Sequence, residues 1–352
     1  MLSVGDSRMN IHFTNPLTDA RWDELVARHA LASVFHQRGW LQALSLTYGY
    51  KPLVLTSASD GTPMSDGVVF CRVSSWITGT RMVSLPFSDH CEPLLDDPQD
   101  LSELVEWLHT ERDSQRWRYV ELRPLAQICD GHSVQPSQSY CFHELDLSPG
   151  LEQLFRNLHK DSIQRKIQRA EREQLSYVTG RSEALADVFY RLMLRTRRRH
   201  HLLPQPRAWF KNLVECMGER AQIRVAAKDG MPVAAMLTLS HGSSVIYKYG
   251  CSDERHHSLG AMPFLFWKLI QEAKASGAEK IDLGRSDLEQ ESLIAFKDKF
   301  GATKKLLHYY RYPQRSKHRP AAWGEHAIRQ CFSMLPDAVS STAGRLVYRH
   351  MG

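Results

Sequence analysis

The sequence predicts a mixed α/β (α+β) protein of two successive domains, each with a largely antiparallel sheet flanked by helices. Three observations support this fold class. The length of 352 residues suits about two domains. Residues 221–250 read as three strands joined at Asp-Gly and His-Gly turns, which are hairpin signals. Residues 245–312 then follow the order strand, loop, helix, strand, helix, strand, and residues 30–124 show a related alternation.

The first half alternates short helices and strands. Apolar spacing predicts a helix in TDARWDELVARHA, with Thr18 as its N-cap, and a second helix in HQRGWLQALSLTYG. KPLVLT, SDGVVFCRVSSW and TRMVSLPF read as strands, residues 100–112 as a helix, and WRYVELRP as a strand that ends at Pro124. The Gly, Pro, Ser and Gln content of residues 125–141 indicates a connection, so the first domain is predicted to span residues 1–141.

The second half opens with one long helix over residues 151–174, and Ser182 is the predicted N-cap of the next helix. After the three hairpin strands, AMPFLFWKLIQEAKASG reads as a helix with Pro263 in its first turn and Gly277 as its stop signal. AEKIDLGRSD is predicted to be a short buried strand that breaks at Gly284. A helix and a final strand follow.

The second domain is therefore predicted to span residues 142–313, and residues 314–352 to form a basic helical tail. Seven cysteines lie scattered along the chain, without a Cys-x-x-Cys pair or a Cys/His cluster. Neither a disulfide framework nor a metal site is predicted from them. The N-terminal MLSVGDSRMN lacks the apolar segment of a targeting signal, so a cytoplasmic location is expected.

Positive charge is concentrated near the middle of the chain. Residues 151–211 contain fourteen Lys and Arg against six Asp and Glu, a local excess of +8, whereas the whole chain carries +6. The basic residues at 165–172 fit the solvated face of a helix. The denser TRRRHH run, residues 196–201, indicates an anion such as a donor phosphate, a lipid- or nucleotide-linked sugar, a lipid headgroup or tRNA. Contact of the basic segments with the inner face of a membrane is part of this expectation.

The loop RHHSLGAMP precedes the helix that contains Pro263. The N-terminus of a helix carries partial positive charge and unpaired N–H groups, which makes it an anion site. The backbone of Gly260, Ala261 and Met262 is therefore predicted to face a phosphate.

Several segments resemble the FemAB-like branch of the GNAT acyltransferase superfamily, which includes CelD-like bacterial proteins. They are TRRRHHLLPQPRAWF, IYKYGCSD and DLGRSDLEQESLIAFKDKFGA, with SLPFSDH and ELRP in the first half. The resemblance implies tandem GNAT-like domains and acyl-CoA, such as acetyl-CoA, as the donor. CoA-dependent members usually show R/Q-x-x-G-x-G/A, whereas this loop has one glycine. Aminoacyl-tRNA therefore stays open as the donor. If CoA is used, Gly260→Val is expected to weaken its binding and to leave the melting temperature nearly unchanged.

Transfer of an acyl group to an amine needs a proton acceptor and groups that polarise the carbonyl. The predicted catalytic residues are Asp287, His200, Tyr249 and Lys248, and the predicted substrate-binding residues are Asp89, Arg197, Arg198, Arg285 and Lys297. These residues come from separate segments, so the prediction requires a shared cleft.

Each residue also has a structural interpretation. Tyr247 and Tyr249 alternate with Lys248 along a strand, so the two tyrosines are expected on one face, where packing is their commonest role. Asp89 fits a turn that bonds its own backbone, and Lys297 fits a helix surface. Arg285 is also placed to pair with the nearby Asp287.

Three functions follow from these observations. The first is an N-acyltransferase that acts on an amine of an amino sugar or of a cell-envelope or polysaccharide precursor. The second is an aminoacyl-tRNA-dependent transferase that builds peptide branches on a peptidoglycan precursor. The third is a non-catalytic adaptor that binds a polysaccharide or a protein through its basic surface.

Overall fold

The structure is a computed structural model, and it describes residues 11–77, 79–127, 136–313, 344 and 346–350. The chain divides into two compact units. The N-terminal unit comprises Met1–Gln138, Leu307–His318 and Arg349–Gly352, and the C-terminal unit comprises Ser139–Leu306 and Arg319–Tyr348. The predicted domain limits do not include the return of the chain to the first unit. The predicted tail lies outside the described residues except for Gly344 and residues 346–350, whose backbone is helical.

The N-terminal unit contains five short strands and three helices in the part of the chain that the structure describes. The strands are β1 (His12–Thr14), β2 (Lys51–Thr56), β3 (Val68–Ser75), β4 (Gly79–Val83) and β5 (Val120–Leu122), and the helices are α1 (Ala20–Arg28), α2 (Arg38–Tyr48) and α3 (Pro98–Ser114). Neighbouring strands are antiparallel except β4 and β5, which run parallel. Phe70, Met82, Leu104, Leu108 and Trp117 belong to the core between this sheet and α3.

Helix α1 begins one residue later than the sequence predicts. The carboxylate of Asp19 accepts a hydrogen bond from the backbone N–H of Arg21 at 3.1 Å, so Asp19 is the N-cap. The prediction of Thr18 is wrong, because the N–H of Thr18 donates to the carbonyl of Asn15 in a preceding turn. Trp22, the first apolar residue of the predicted pattern, is buried as expected.

The C-terminal unit is built on the strand order β6-β11-β10-β9-β8-β7. Its strands are β6 (Gln138–Asp146), β7 (Ser176–Gly180), β8 (Ala221–Lys228), β9 (Met231–His241), β10 (Ser244–Ser252) and β11 (Lys280–Asp287). Its helices are α4 (Leu151–Asn157), α5 (Arg165–Arg172), α6 (Glu183–Arg199), α7 (Arg207–Met217), α8 (Ala261–Ala275) and α9 (Glu291–Asp298). The final strand, β12 (Thr303–Tyr312), begins in this unit and ends in the N-terminal unit, where it pairs antiparallel with β5.

Each unit has one parallel strand pair whose two strands are connected through a helix, α3 between β4 and β5 and α8 between β10 and β11. The remaining described pairs are antiparallel. A parallel pair needs such a crossover connection, whereas antiparallel neighbours need only a hairpin. This recurrence confirms the predicted fold class, two largely antiparallel mixed sheets flanked by helices.

Helix α8 packs on one face of the second sheet. Phe264, Leu265, Leu269 and Ile270 are buried in a cluster with Met236 of β9, Ile281 of β11 and Ile167 of α5. The opposite face of the sheet is covered by α6 and α7, whose Phe189 and Phe210 are also buried. No helix within the described ranges is long and apolar enough to cross a bilayer.

The predicted long helix over residues 151–174 is interrupted. Helix α4 ends at Asn157, a π-turn follows at Lys160–Gln164, and α5 begins at Arg165. The amide of Gln164 donates to the carbonyls of Phe155 and Leu158, at 3.0 and 2.7 Å. Carbonyls at the end of a helix lack partners within the regular helix, and here the carbonyl of Phe155 also accepts from the N–H of Leu158 at 3.2 Å. The side chain of Gln164 thus stabilises a break that no glycine or proline announces.

Strands β10 and β11 pair over only three residues each, Ser244–Ile246 with Lys280–Asp282. Both strands then bulge. Lys248 is the extra residue in β10, and the bulge in β11 lies between Asp282 and Arg285. Gly284 therefore marks a bulge with a φ of +71° and not the break that the sequence predicts, since β11 continues to Asp287.

Candidate functional site

A cavity of about 380 Å³ lies in the C-terminal unit, where β10 ends and α8 begins. Part of its lining is apolar, with Ile163, Val233, Tyr247, Met262, Pro263 and Phe296. Another part is basic, with Lys166, Arg199, His200, His256, His257 and Lys299. None of the described residues that line it is an aspartate or a glutamate. The cavity therefore suits a ligand that is apolar in one part and negatively charged in another.

The first turn of α8 supplies backbone donors to this cavity. Ala261 and Met262 line it, and the N–H groups of a first helical turn have no partner within the helix. Pro263 has no N–H, and the N–H of Phe264 already donates to the carbonyl of Gly260 at 3.1 Å. Two donors thus remain at the positive end of the helix dipole, as the sequence predicted for an anion.

Gly260 itself shapes the loop beneath these donors. It caps α8 with a φ of +74°, in the left-handed region that favours glycine. A Cβ at this position would overlap the carbonyl oxygen of Lys166 and lie 2.9 Å from the Lys166 Cβ. The expectation that Gly260→Val leaves the melting temperature unchanged is therefore wrong, because the added side chain would meet the backbone of α5.

The end of β10 is fixed to α6. The N–H of Ser252 donates to the hydroxyl of Thr196 at 2.9 Å. The buried carboxylate of Asp253 accepts from the side chains of Arg195 and Arg255, both at 2.6 Å, and caps the 3₁₀ segment Glu254–Leu259. The hydrogen bond from Arg255 is the main cause that holds the pKa of Asp253 well below its usual range. These contacts position the loop that leads into α8.

Arg199, in the last turn of α6, contacts two imidazoles. One guanidinium nitrogen lies 3.0 Å from Nε2 of His257 and another lies 3.2 Å from Nε2 of His200. Nε2 of His257 also lies 2.9 Å from the hydroxyl of Ser252. Burial, followed by the charge of Arg199, lowers the pKa of both histidines. His200, a predicted catalytic residue, thus lines the cavity beside a permanent positive charge.

Tyr247 lines the same cavity, and the sequence interpretation did not select it. Its ring packs against Phe266, with 4.6 Å between centroids, and its hydroxyl lies over Gly250, where a Cβ would be 2.8 Å from the Tyr247 Cζ. Burial raises the pKa of the Tyr247 phenol, so the hydroxyl keeps its proton at neutral pH. The signal available in the sequence was the pair Tyr247 and Gly250, three residues apart in a strand.

Tyr249 lies on the other face of the sheet. Its hydroxyl accepts a hydrogen bond from the indole of Trp209 at 2.9 Å, and its ring packs against Phe210 of α7. The expectation that Tyr247 and Tyr249 share a face is wrong, because the bulge at Lys248 adds one residue and reverses the alternation. The ammonium of Lys248 lies 5.6 Å from the centre of the Tyr249 ring.

Lys297 is not a surface residue. It is 4% exposed, and its ammonium donates to the carbonyls of Gly284 at 2.9 Å and Arg285 at 3.1 Å. The guanidinium of Arg285 lies over the ring of Tyr140, 3.9 Å from its centre. Asp287 is exposed at the end of β11. Lys297 therefore supports the bulge of β11, and a substrate contact by any of these three residues stays a prediction.

The other predicted substrate-binding residues lie away from the cavity lining. Arg197 and Arg198 belong to α6, Arg198 with an exposed side chain, but in this helix only Thr196 and Arg199 line the cavity. Asp89 belongs to the N-terminal unit, and its backbone carbonyl accepts from the hydroxyl of Tyr309 at 2.7 Å. Among the predicted residues, the cavity brings together His200, Ala261 and Met262, with Gly260 beneath them.

The sequence matches a known family over part of its length. Residues 157–297 match the model of the acetyltransferase (GNAT) domain, and this segment contains the cavity lining except Lys299. No curated protein matches the sequence. The segment that carries the candidate site thus matches the model of a GNAT acetyltransferase domain.

Solved structures show the wider fold. The crystal structure of FemX is similar over 86% of this chain and 97% of its own, with a TM-score of 0.66 and 14% identity. The C-terminal domain of a candidate lysylphosphatidylglycerol synthetase from Agrobacterium fabrum is similar over 89% of this chain and 94% of its own, with a TM-score of 0.56 and 14% identity. A tandem GNAT protein from the clavulanic acid biosynthesis pathway is similar over 87% of this chain and 99% of its own, with a TM-score of 0.52 and 12% identity. The chain thus shares its fold with FemX and with a tandem GNAT protein, which confirms the fold that the resemblance in its motifs implies.

Proposed function

We propose that this protein is an acyltransferase that binds acyl-CoA in the cavity at the start of α8 and transfers the acyl group to an amine. One observation carries the proposal. Ala261 and Met262, the first two residues of α8, line a cavity together with three cationic side chains and three histidines and, among its described residues, with no carboxylate. A phosphate group is the ligand that such donors and charges stabilise.

The residues present fit an acyl-CoA. The backbone of Ala261 and Met262 would hold a phosphate group, and the apolar wall around Ile163, Val233 and Phe296 would receive the thioester arm. Tyr247 keeps its proton at neutral pH, so its hydroxyl can protonate the sulfur that leaves when the acyl carbon–sulfur bond breaks. The amine nitrogen forms the new bond to the acyl carbon, and the proton that it then gives up restores the hydroxyl of Tyr247.

The acceptor side of the reaction follows the sequence prediction. Asp287 is exposed at the end of β11 and would take the proton of the attacking ammonium. Arg198 and Arg285 would bind an acidic acceptor, such as an amino sugar linked to a phosphate or a cell-envelope precursor. We expect Asp287→Asn to lower turnover by about a hundredfold at unchanged acceptor affinity. We expect Arg198→Ala to raise the acceptor concentration that gives half-maximal rate.

The donor site is tested by Met262→Asp. Met262 is partly buried against the core, so Met262→Asp and Met262→Asn lose the same apolar contacts, and only the aspartate carboxylate repels a bound phosphate. Isothermal titration with acetyl-CoA and longer acyl-CoAs should show at least tenfold weaker binding, and Met262→Asn, the neutral control, should bind as the wild type does. Equal affinity of Met262→Asp and Met262→Asn would place the donor outside this cavity.

A second candidate donor is aminoacyl-tRNA. It is favoured by the similarity of the fold to FemX and to a candidate lysylphosphatidylglycerol synthetase. The same basic lining would bind the phosphates of an RNA end. Transfer assays with acetyl-CoA and with charged tRNA separate the two donors. Binding of either without transfer to any amine would instead favour the adaptor function.

A further inference from the structure

We infer that Arg199, His200 and His257 form a phosphate-binding subsite that takes up protons as its ligand binds. The inference deepens the proposed function and rests on the donor site described for it. The three side chains come from the end of α6, the residue after it and the 3₁₀ segment before α8, and all three line the cavity.

The geometry fixes which imidazole atoms carry hydrogen. A guanidinium has only N–H donors and keeps its proton in proteins. The nitrogens that it contacts, Nε2 of His200 at 3.2 Å and Nε2 of His257 at 3.0 Å, must therefore accept. An imidazole that accepts at Nε2 is neutral, with its hydrogen on Nδ1. Without an anion, the subsite thus holds one charged guanidinium between two neutral rings.

The charges around His257 favour this neutral state. Burial and then Arg199 lower its pKa most, Glu254 opposes them, and Lys166 lowers the pKa further against a smaller effect of Asp253. Lys166 belongs to α5, so positive charge reaches the ring from a second helix. The hydroxyl of Ser252 also lies 2.9 Å from this Nε2.

His200 is in a similar position. Burial lowers its pKa, followed by Arg199, Arg197 and His201, while Glu254 opposes them. The ring is exposed at the cavity wall, so solvent screens part of these effects. Both rings are therefore mostly neutral near pH 7 in the absence of a ligand.

A phosphate reverses this arrangement because its oxygens only accept hydrogen bonds. Arg199 can then donate to the phosphate, and each Nε2 loses the donor that kept it unprotonated. The added negative charge raises the pKa of both rings, and a protonated ring is itself a donor to phosphate. Binding should thus take up protons, at most one per ring. The affinity should strengthen as pH falls from about 8 to 6, by at most tenfold per pH unit and ring.

The test is isothermal titration with inorganic pyrophosphate at pH 7 in buffers of different ionisation enthalpy. The dependence of the heat on the buffer gives the number of protons taken up. The double variant H200N/H257N keeps Arg199, Lys166 and the start of α8, so we expect it to bind more weakly and to take up fewer protons. His241→Asn is the matched control, because burial also lowers the pKa of His241 but its ring lies outside the cavity lining.

Equal proton uptake by the wild type and the double variant would overturn the inference, as would failure of the wild type to bind pyrophosphate. Coenzyme A and a CCA trinucleotide then distinguish the two phosphate sources. Histidine-dependent uptake with either supports the inference, and uptake with neither overturns it.

Two outcomes separate this inference from the proposed function. Proton uptake without acyl transfer would contradict the acyltransferase and leave the subsite. Acyl transfer without proton uptake would support the acyltransferase and contradict the subsite.

An independent check is the titration of both rings by NMR, where Arg199→Gln should raise their pKa because it removes the nearest cation. Unchanged titration in that variant would contradict the contact on which the inference rests.

Discussion

The close approach at Gly260 gives the sharpest test of how the cavity is built. Gly260→Ala adds a single methyl group where φ is +74° and where the carbonyl of Lys166 already occupies the space. A non-glycine residue in this region costs about 1–2 kcal/mol. Displacing the backbone of α5 costs about a further 1–3 kcal/mol, the range for overpacking. We therefore expect a loss of about 2–5 kcal/mol in the free energy of unfolding.

Gly277→Ala is the matched control for this substitution. Gly277 follows the other end of α8 with a φ of +80°, but a Cβ there would meet nothing within 4 Å. The free energy of unfolding of Gly277→Ala should fall by only about 1–2 kcal/mol, which is the cost of a left-handed backbone at a non-glycine residue. Urea denaturation followed by circular dichroism measures both variants. Equal losses at the two positions would refute the argument that the loop is held against α5.

Three further predictions concern residues around the site. Lys297→Met should lower the free energy of unfolding by about 1–3 kcal/mol because it leaves the carbonyls of Gly284 and Arg285 unpaired. Lys299→Met is the control and should leave this free energy unchanged. Equal unfolding midpoints of the two variants in urea would contradict the prediction. Tyr249→Phe should lower the free energy of unfolding by about 1–3 kcal/mol because the indole of Trp209 loses its acceptor. Tyr247→Phe should keep the fold and lower turnover with acetyl-CoA. A loss of turnover in Tyr249→Phe and a loss of stability in Tyr247→Phe would contradict these assignments. Asp253 has a lowered pKa in the folded state, so its charge stabilises the fold above the unfolded pKa of about 4 and this stabilisation is lost as pH falls below it. The stability difference between wild type and Asp253→Asn should therefore shrink below pH 4, and a constant difference from pH 3 to 8 would count against the arginine contacts.

The local elements were largely determined by the sequence. The Asp-Gly and His-Gly turns, the start of α8 near Pro263 and its end before Gly277 depend on residues close in the chain. The anion site predicted at Ala261 and Met262 rests on the same kind of local signal, because the donors that it needs belong to one loop and one helix turn, and it stays a prediction. TRRRHH likewise indicated an anion from composition alone.

Tertiary structure decided which side chains reach the site. Within TRRRHH, successive helical residues point about 100° apart, so Arg199 lines the cavity and contacts His257 of the 3₁₀ segment, whereas Arg198 does not line the cavity. The bulge at Lys248 placed Tyr247 and Tyr249 on opposite faces of the sheet, and it arises from the pairing of β10 with β9. Lys297 became a buried support of β11 because carbonyls thirteen and twelve residues away needed a donor. Such contacts join residues distant in the chain, so no local pattern could contain them.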